Sequence, residues 1–207
     1  MGGRGSWSKS GGTFEPVPGG GGGGGGDAET VLGPRIPESL QEALGEPGPV
    51  MSIAQASAGT NPHYNASYGA YSSNCQRCVL TYEARRRGYD VTALPTYSGD
   101  LLPFGSDYLR ALSNPKTVSV GTSVRKLESE MKSYGNGSRA IVGISRGSRG
   151  HVFIAENVRG KITYVDPQTN ERHSSLSLRY VSNARLTRID NQSFTDYAKN
   201  AFTRQKV

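Results

Sequence analysis

Residues 149–166, RGHVFIAENVRGKITYVD, restrict the possible architectures of this chain more than any other stretch. Two runs rich in β-branched and aromatic residues, 149–156 and 161–166, flank Asn157-Val158-Arg159-Gly160, whose composition suits a tight turn. A β-hairpin is expected, and antiparallel sheet with it. A turn centred between Val158 and Arg159 sets His151 directly opposite Asp166 at the open end of the hairpin, with side chains on one face and Cβ atoms about 5 Å apart. A turn displaced by one residue, using Gly160 in a bulge, throws that pair out of phase. The histidine–carboxylate pairing therefore hangs on register.

Helical and extended patterns surround the hairpin. Asn74 precedes CQRCVLTYEARRRG, in which Cys75, Cys78, Val79 and Tyr82 recur at helical spacing. Gly88 supplies a C-cap and Arg85, Arg86 and Arg87 a basic last turn, so a helix over residues 75–87 follows. Residues 89–94 alternate and stop at Pro95, which predicts a strand, and 117–120 are extended in character. One helical turn is expected at 108–112. Residues 122–134 place Val124, Leu127 and Met131 on one helical face behind a Thr122 or Ser123 cap. A central strand at 139–144, another strand at 184–189 and a short closing helix at 194–202 complete one α+β domain over residues 57–207.

The chain before this domain differs in composition. Gly19 to Gly26 is an unbroken glycine run, and its flanks carry few apolar residues at any regular period. Such a segment cannot bury enough surface to offset its ordering entropy. Residues 1–56 are expected to form a glycine-rich flexible tail, with a short helix near 39–44. No stretch approaches the apolar length of a membrane span, and the first residues lack the apolar core of a signal peptide, so a cytoplasmic location is expected. Gly2 and Ser6 match only the loose myristoylation pattern.

A net charge of +7 raises the question of nucleic acid. Basic residues gather at Arg85–Arg87, at Arg146, Arg149 and Arg159, and toward the C-terminus, but they are mixed with acidic residues and fit no reading module. An affinity for acidic partners and a merely solvated basic face fit this distribution equally well.

Both cysteines lie in Asn74-Cys75-Gln76-Arg77-Cys78. Two cysteines and three histidines without zinc-site spacing argue against a metal centre, and the polar Ser72-Ser73-Asn74 lead is not the apolar strand that precedes a thioredoxin-like pair. No cofactor is expected. Taken alone, the motif suits two buried small hydrophobes as well as it suits a nucleophile. If one sulfur is reactive, Cys75 is favoured, because the first turn of a helix directs unpaired N–H groups at a thiolate, whereas Cys78 joins the apolar face. His151 and Asp166 would supply a base and the group that orients it. His63 sits in a polar loop and His173 in the polar ERHSS stretch, which makes both poorer bases.

NCQRC followed by YEARRRGYDVTALP, then Gly150-His151-Val152-Phe153, then Tyr164-Val165-Asp166-Pro167-Gln168-Thr169 resembles the papain-fold toxin domain of the glutamine deamidase type, found in bacterial polymorphic toxins and phage proteins. The resemblance spans roughly residues 61–190, with its blocks in the family's order. It implies a papain-like fold, with a helix packed on antiparallel sheet, and a catalytic Cys75, His151 and Asp166. It also implies a protein substrate presenting an accessible glutamine and, in the toxin or phage setting, an immunity protein or phage component as partner. Papain's oxyanion glutamine would fall at Gly69, so the donors must come from the Cys75 backbone with Asn74 or Gln168 as candidates. The same three residues would serve a protease or a transglutaminase, and a non-enzymatic, phage-associated binding protein is the rival class.

Overall fold

The computed structural model describes residues 37–67, 69–97 and 106–204, so the glycine run of the expected tail lies outside the described residues. In chain order the elements are α1 (Leu40–Leu44), α2 (Ile53–Thr60), α3 (Gly69–Ser72), α4 (Cys75–Arg86), β1 (Val91–Ala93), a 3-10 helix (Asp107–Ala111), β2 (Thr117–Gly121) and α5 (Val124–Ser133). They continue with β3 (Arg139–Arg146), β4 (Arg149–Val158), β5 (Lys161–Asp166), β6 (Glu171–His173), β7 (Asn183–Arg188), a second 3-10 helix (Asp196–Asn200) and β8 (Phe202–Arg204). Six strands form a sheet in the order β2-β7-β3-β4-β5-β6, and β1 pairs with β8. All described pairings are antiparallel, and the architecture is α+β.

The central strands are buried on both faces, which is why 152–155 reads as a continuous apolar run. Val152 and Ile154 join Ile141 and Val165 beneath Val79, Tyr82 and Ala84 of α4. Phe153 and Ala155 face the other way and meet Leu127 and Met131 of α5. Ser123 caps α5 by accepting from Lys126 N at 3.2 Å.

Two buried carboxylates lock α4 to the sheet. Glu83 of α4 accepts from Arg139 of β3 at 2.6 and 2.8 Å and from Arg87 at 2.8 Å. Glu156 of β4 accepts from the Tyr82 hydroxyl at 2.6 Å and from Arg86 at 2.8 Å. Arg85 is held by Asp90 at 2.8 Å and by the Val91 carbonyl. The arginine run of α4 is therefore consumed internally and forms no basic surface.

Three expectations need correction. The hairpin turn is centred on Arg159-Gly160, both at positive φ (53° and 82°), so that Val158 pairs with Lys161 and Ile154 with Val165. Carried along the strand, this register sets Asp166 two residues from the position opposite His151. The two are diagonal neighbours and not a direct pair, and because the shift is an even number of residues the side chains keep their common face. Next, residues 37–56, expected in the tail, are folded: Ser39 caps α1, Ser52 and Gln55 form a capping box on α2, and Ala43 and Ala56 are fully buried in the α4-side core. The short helix near 39–44 is α1. Lastly, the expected closing helix splits into the second 3-10 helix and β8, because Phe202 is drawn into the core and the Leu94 amide donates to Ala201 O at 2.9 Å.

Candidate active site

The N-terminus of α4 organises the site. Asn74 is its N-cap, and its carbonyl accepts from the amides of Arg77 and Cys78 at 2.9 and 3.0 Å. Its side chain makes no cap bond and instead enters a buried amide network. Asn74 Nδ2 donates to Asn61 Oδ1 at 3.2 Å and to Leu94 O at 3.1 Å, while its Oδ1 accepts from Gln168 Nε2 at 3.2 Å. Asn61 Nδ2 donates in turn to the carbonyls of Tyr71 and Gln168, both at 3.0 Å. Three amide side chains thereby tie the end of α2, the start of α4 and the segment after β5 into one unit.

Cys75 is the first residue of α4 and is half-buried. Cys78, one turn on, is fully buried and donates its thiol to Asn74 Oδ1 at 3.3 Å. Burial, reinforced by the neighbouring Cys75 and Asp166, holds the Cys78 pKa well above that of an ordinary thiol. Arg77, between the cysteines, is buried as well, donating to Thr96 Oγ1 at 3.1 Å and to Asn200 O.

His151 is the third residue of β4, opposite Ile144 of β3. The β4–β5 ladder begins only at Ile154, so His151 lies beyond its end. Its Nε2 donates to Asp166 Oδ2 at 2.7 Å, and the ring stacks on Phe153 with centroids 6.2 Å apart. The Cys75 side chain lies close enough to the same ring to help raise its pKa. With Nε2 engaged by the carboxylate, Nδ1 is the ring nitrogen left to take the thiol proton. Burial alone would lower the His151 pKa, but the charge and hydrogen bond of Asp166, with the contact to Cys75, outweigh it and hold the imidazole well above its ordinary value.

Asp166, the last residue of β5, is almost fully buried, and its second oxygen accepts from the Gln168 amide at 3.0 Å. Both carboxylate oxygens thus have fixed partners. Asn74 Nδ2 donates both its hydrogens within the network, and Gln168 is 2% exposed.

The fold brings Cys75, His151 and Asp166 together. His63 packs against Tyr71, and His173 of β6 lies 3.7 Å from Glu171. Among the described residues no group of three His, Cys, Asp or Glu side chains is placed to hold a metal ion. Two neighbours escape sequence inspection. Asn61 carries no signal beyond being an asparagine before a proline, and it becomes recognisable only when three distant segments meet on it. Tyr108 is buried, and its phenol pKa is raised first by burial and then by the charge of Cys75. A thiol, an imidazole and a carboxylate in series can transfer the thiol proton to the ring and hold the resulting charge.

Comparison with known proteins agrees with the resemblance of the sequence. Residues 73–171 match the family described as papain fold toxin 1, glutamine deamidase. The matched span runs from just before α4 to the start of β6 and contains Cys75, His151 and Asp166. No curated protein matches the chain.

Proposed function

We propose, from the match of residues 73–171 to the papain fold toxin, glutamine deamidase, family, that this chain is a cysteine-dependent protein-glutamine deamidase in which Cys75 is the nucleophile, His151 the acid–base and Asp166 the group that orients it. The observation that carries the proposal is the series of contacts from the Cys75 thiol at a helix N-terminus, through the His151 ring, to Asp166 at 2.7 Å.

The thiol proton passes to His151 Nδ1, and the raised imidazole pKa favours the charged pair. Cys75 Sγ attacks the carboxamide carbon of a substrate glutamine, and the electron pair of the C=O bond moves to oxygen. Cys75 is the first helical residue, so its backbone N–H has no intrahelical acceptor and can donate to that oxyanion. His151 protonates the departing nitrogen, ammonia leaves, and a thioester remains on Cys75. Water then adds to the thioester, giving a proton to His151. The S–C bond breaks, and the product is a glutamate with a free thiol.

Asn74 and Gln168 act as positioning residues: the amide network sets the start of α4 against Asp166. The target is a protein with an accessible glutamine, and a toxin of this type would be accompanied by an immunity protein. To test the function, the purified chain is incubated with a bacterial lysate, and glutamines gaining about 1 Da are sought by mass spectrometry against a Cys75→Ala control. A small set of converted sites is expected. Cleaved peptides would point to a protease, and Gln–Lys cross-links to a transglutaminase.

A further inference from the structure

The end of the sheet that carries His151 gathers three arginines, two of them over one aromatic ring. Arg146 closes β3 and Arg149 opens β4, and the two stand directly opposite each other in the ladder. Like charges so placed are destabilising. Arg179 lies over the Tyr180 ring at 5.2 Å from its centre, and Arg146 approaches the same ring at 5.9 Å. All three arginines are exposed, as is Tyr180. Among the described residues no carboxylate lies within ion-pair distance of any of the three. Elsewhere the fold supplies such partners, as Glu83, Glu156 and Asp90 do for the arginines of α4.

The cluster is held firmly and lies beside the site. Leu178 and Val181, which bracket Arg179 and Tyr180, are buried in the α5-side core, against which Ile144 also packs. Arg149 and His151 are two residues apart on β4, so their side chains share a face about 7 Å apart along the strand. A polypeptide entering the site in extended form rises about 3.3 Å per residue, so a side chain two to four positions from the reacting group would meet the arginines.

We propose that Arg146, Arg149 and Arg179 select the substrate by holding carboxylates close in sequence to the glutamine that Cys75 attacks, so that the natural target segment is acidic. The proposal rests on the assignment of Cys75 chemistry to a polypeptide glutamine. Guanidinium groups match carboxylates two N–H bonds at a time, and Tyr180 keeps two of the three planes in place.

The test uses fluorescein-labelled peptides with one central glutamine, flanked two to four residues away by glutamates, serines or lysines. Binding to full-length Cys75→Ala protein is measured by anisotropy, and ammonia release by the wild-type chain is measured on the same peptides. The glutamate peptide should bind about tenfold more tightly than the serine peptide at low salt, with the margin shrinking as salt is raised. Arg146→Ala/Arg149→Ala should abolish that margin while leaving turnover of the serine peptide within about twofold, and Arg149→Glu should shift the preference toward the lysine peptide. The proposal is overturned if the three peptides bind equally, if none binds, or if the arginine variants weaken all of them alike. Displacement of the glutamate peptide by an RNA oligonucleotide of equal charge at a much lower concentration would reassign the patch to nucleic acid and also overturn it. An arginine-dependent preference without ammonia release would uphold the acidic selectivity and reject the deamidase assignment, so the two failures are distinct.

Discussion

Replacing Asp166 by asparagine tests the geometry most searchingly, because the structure dictates how the new amide must sit. The Gln168 backbone N–H donates to Asp166 Oδ1 at 3.0 Å and needs an oxygen there. An asparagine keeping that bond turns its Nδ2 toward His151 Nε2, where the aspartate had offered an acceptor at 2.7 Å. His151 must then accept at Nε2, and its proton moves to Nδ1, the nitrogen that would take the thiol proton. The variant loses a charged hydrogen bond, worth about 1.5–3 kcal/mol or roughly ten- to a hundredfold in rate, and presents the wrong tautomer as well. Together these place the loss in kcat/KM at roughly 10²- to 10⁴-fold. The assay is ammonia release, with circular dichroism to confirm folding and ¹⁵N NMR of the ring to report the tautomer. A folded Asp166→Asn protein within about fivefold of wild type would refute the orienting role.

Further outcomes follow from the same contacts. Cys75→Ala should abolish labelling by iodoacetamide near neutral pH, while Cys78→Ala should keep it and lose roughly 1–2 kcal/mol of stability as a buried side chain is trimmed; peptide mapping and denaturant melts check both. Glu83→Gln leaves Arg87 and Arg139 without their shared carboxylate and should cost about 3–5 kcal/mol in urea unfolding. Because the folded-state His151 pKa is raised, protonation of the ring stabilises the fold; this contribution is complete below the unfolded value of about 6.5 and is lost as pH climbs through the higher folded value. The stability advantage of wild type over His151→Gln should therefore shrink as pH rises above neutral, as measured by melts at several pH values.

How much of this was legible in the sequence depended on how local each signal was. The helix at NCQRC announced itself through spacing and its C-terminal arginines, and the phase that favoured Cys75 over Cys78 is the one observed. The hairpin was equally plain, but its register was not: an arginine at φ 53° is an uncommon turn residue, and nothing in NVRG singles out Arg159-Gly160 over the preceding pair. The pairing of His151 with Asp166 survived because the displacement kept the pleat in phase. The early helices were obscured by the glycine run beside them, and they dock through small residues, Ala43 and Ala56, that carry little periodic signal. The arginines of α4 looked like a surface because Glu156, the partner of Arg86, lies 70 residues away on β4 and only the fold brings the two together. Asn61 is the extreme case, since its partners lie 10, 13 and 107 residues away.

The central claim is a thioester on Cys75, and acid-quenched mass spectrometry of the wild-type chain mixed briefly with excess glutamine peptide tests it directly. The expected species is the chain plus peptide minus about 17 Da, the ammonia released, with the adduct mapped to Cys75 and absent from Cys75→Ala. Glutamate formation by the Cys75→Ala protein, or an adduct mapped to another residue, would contradict it.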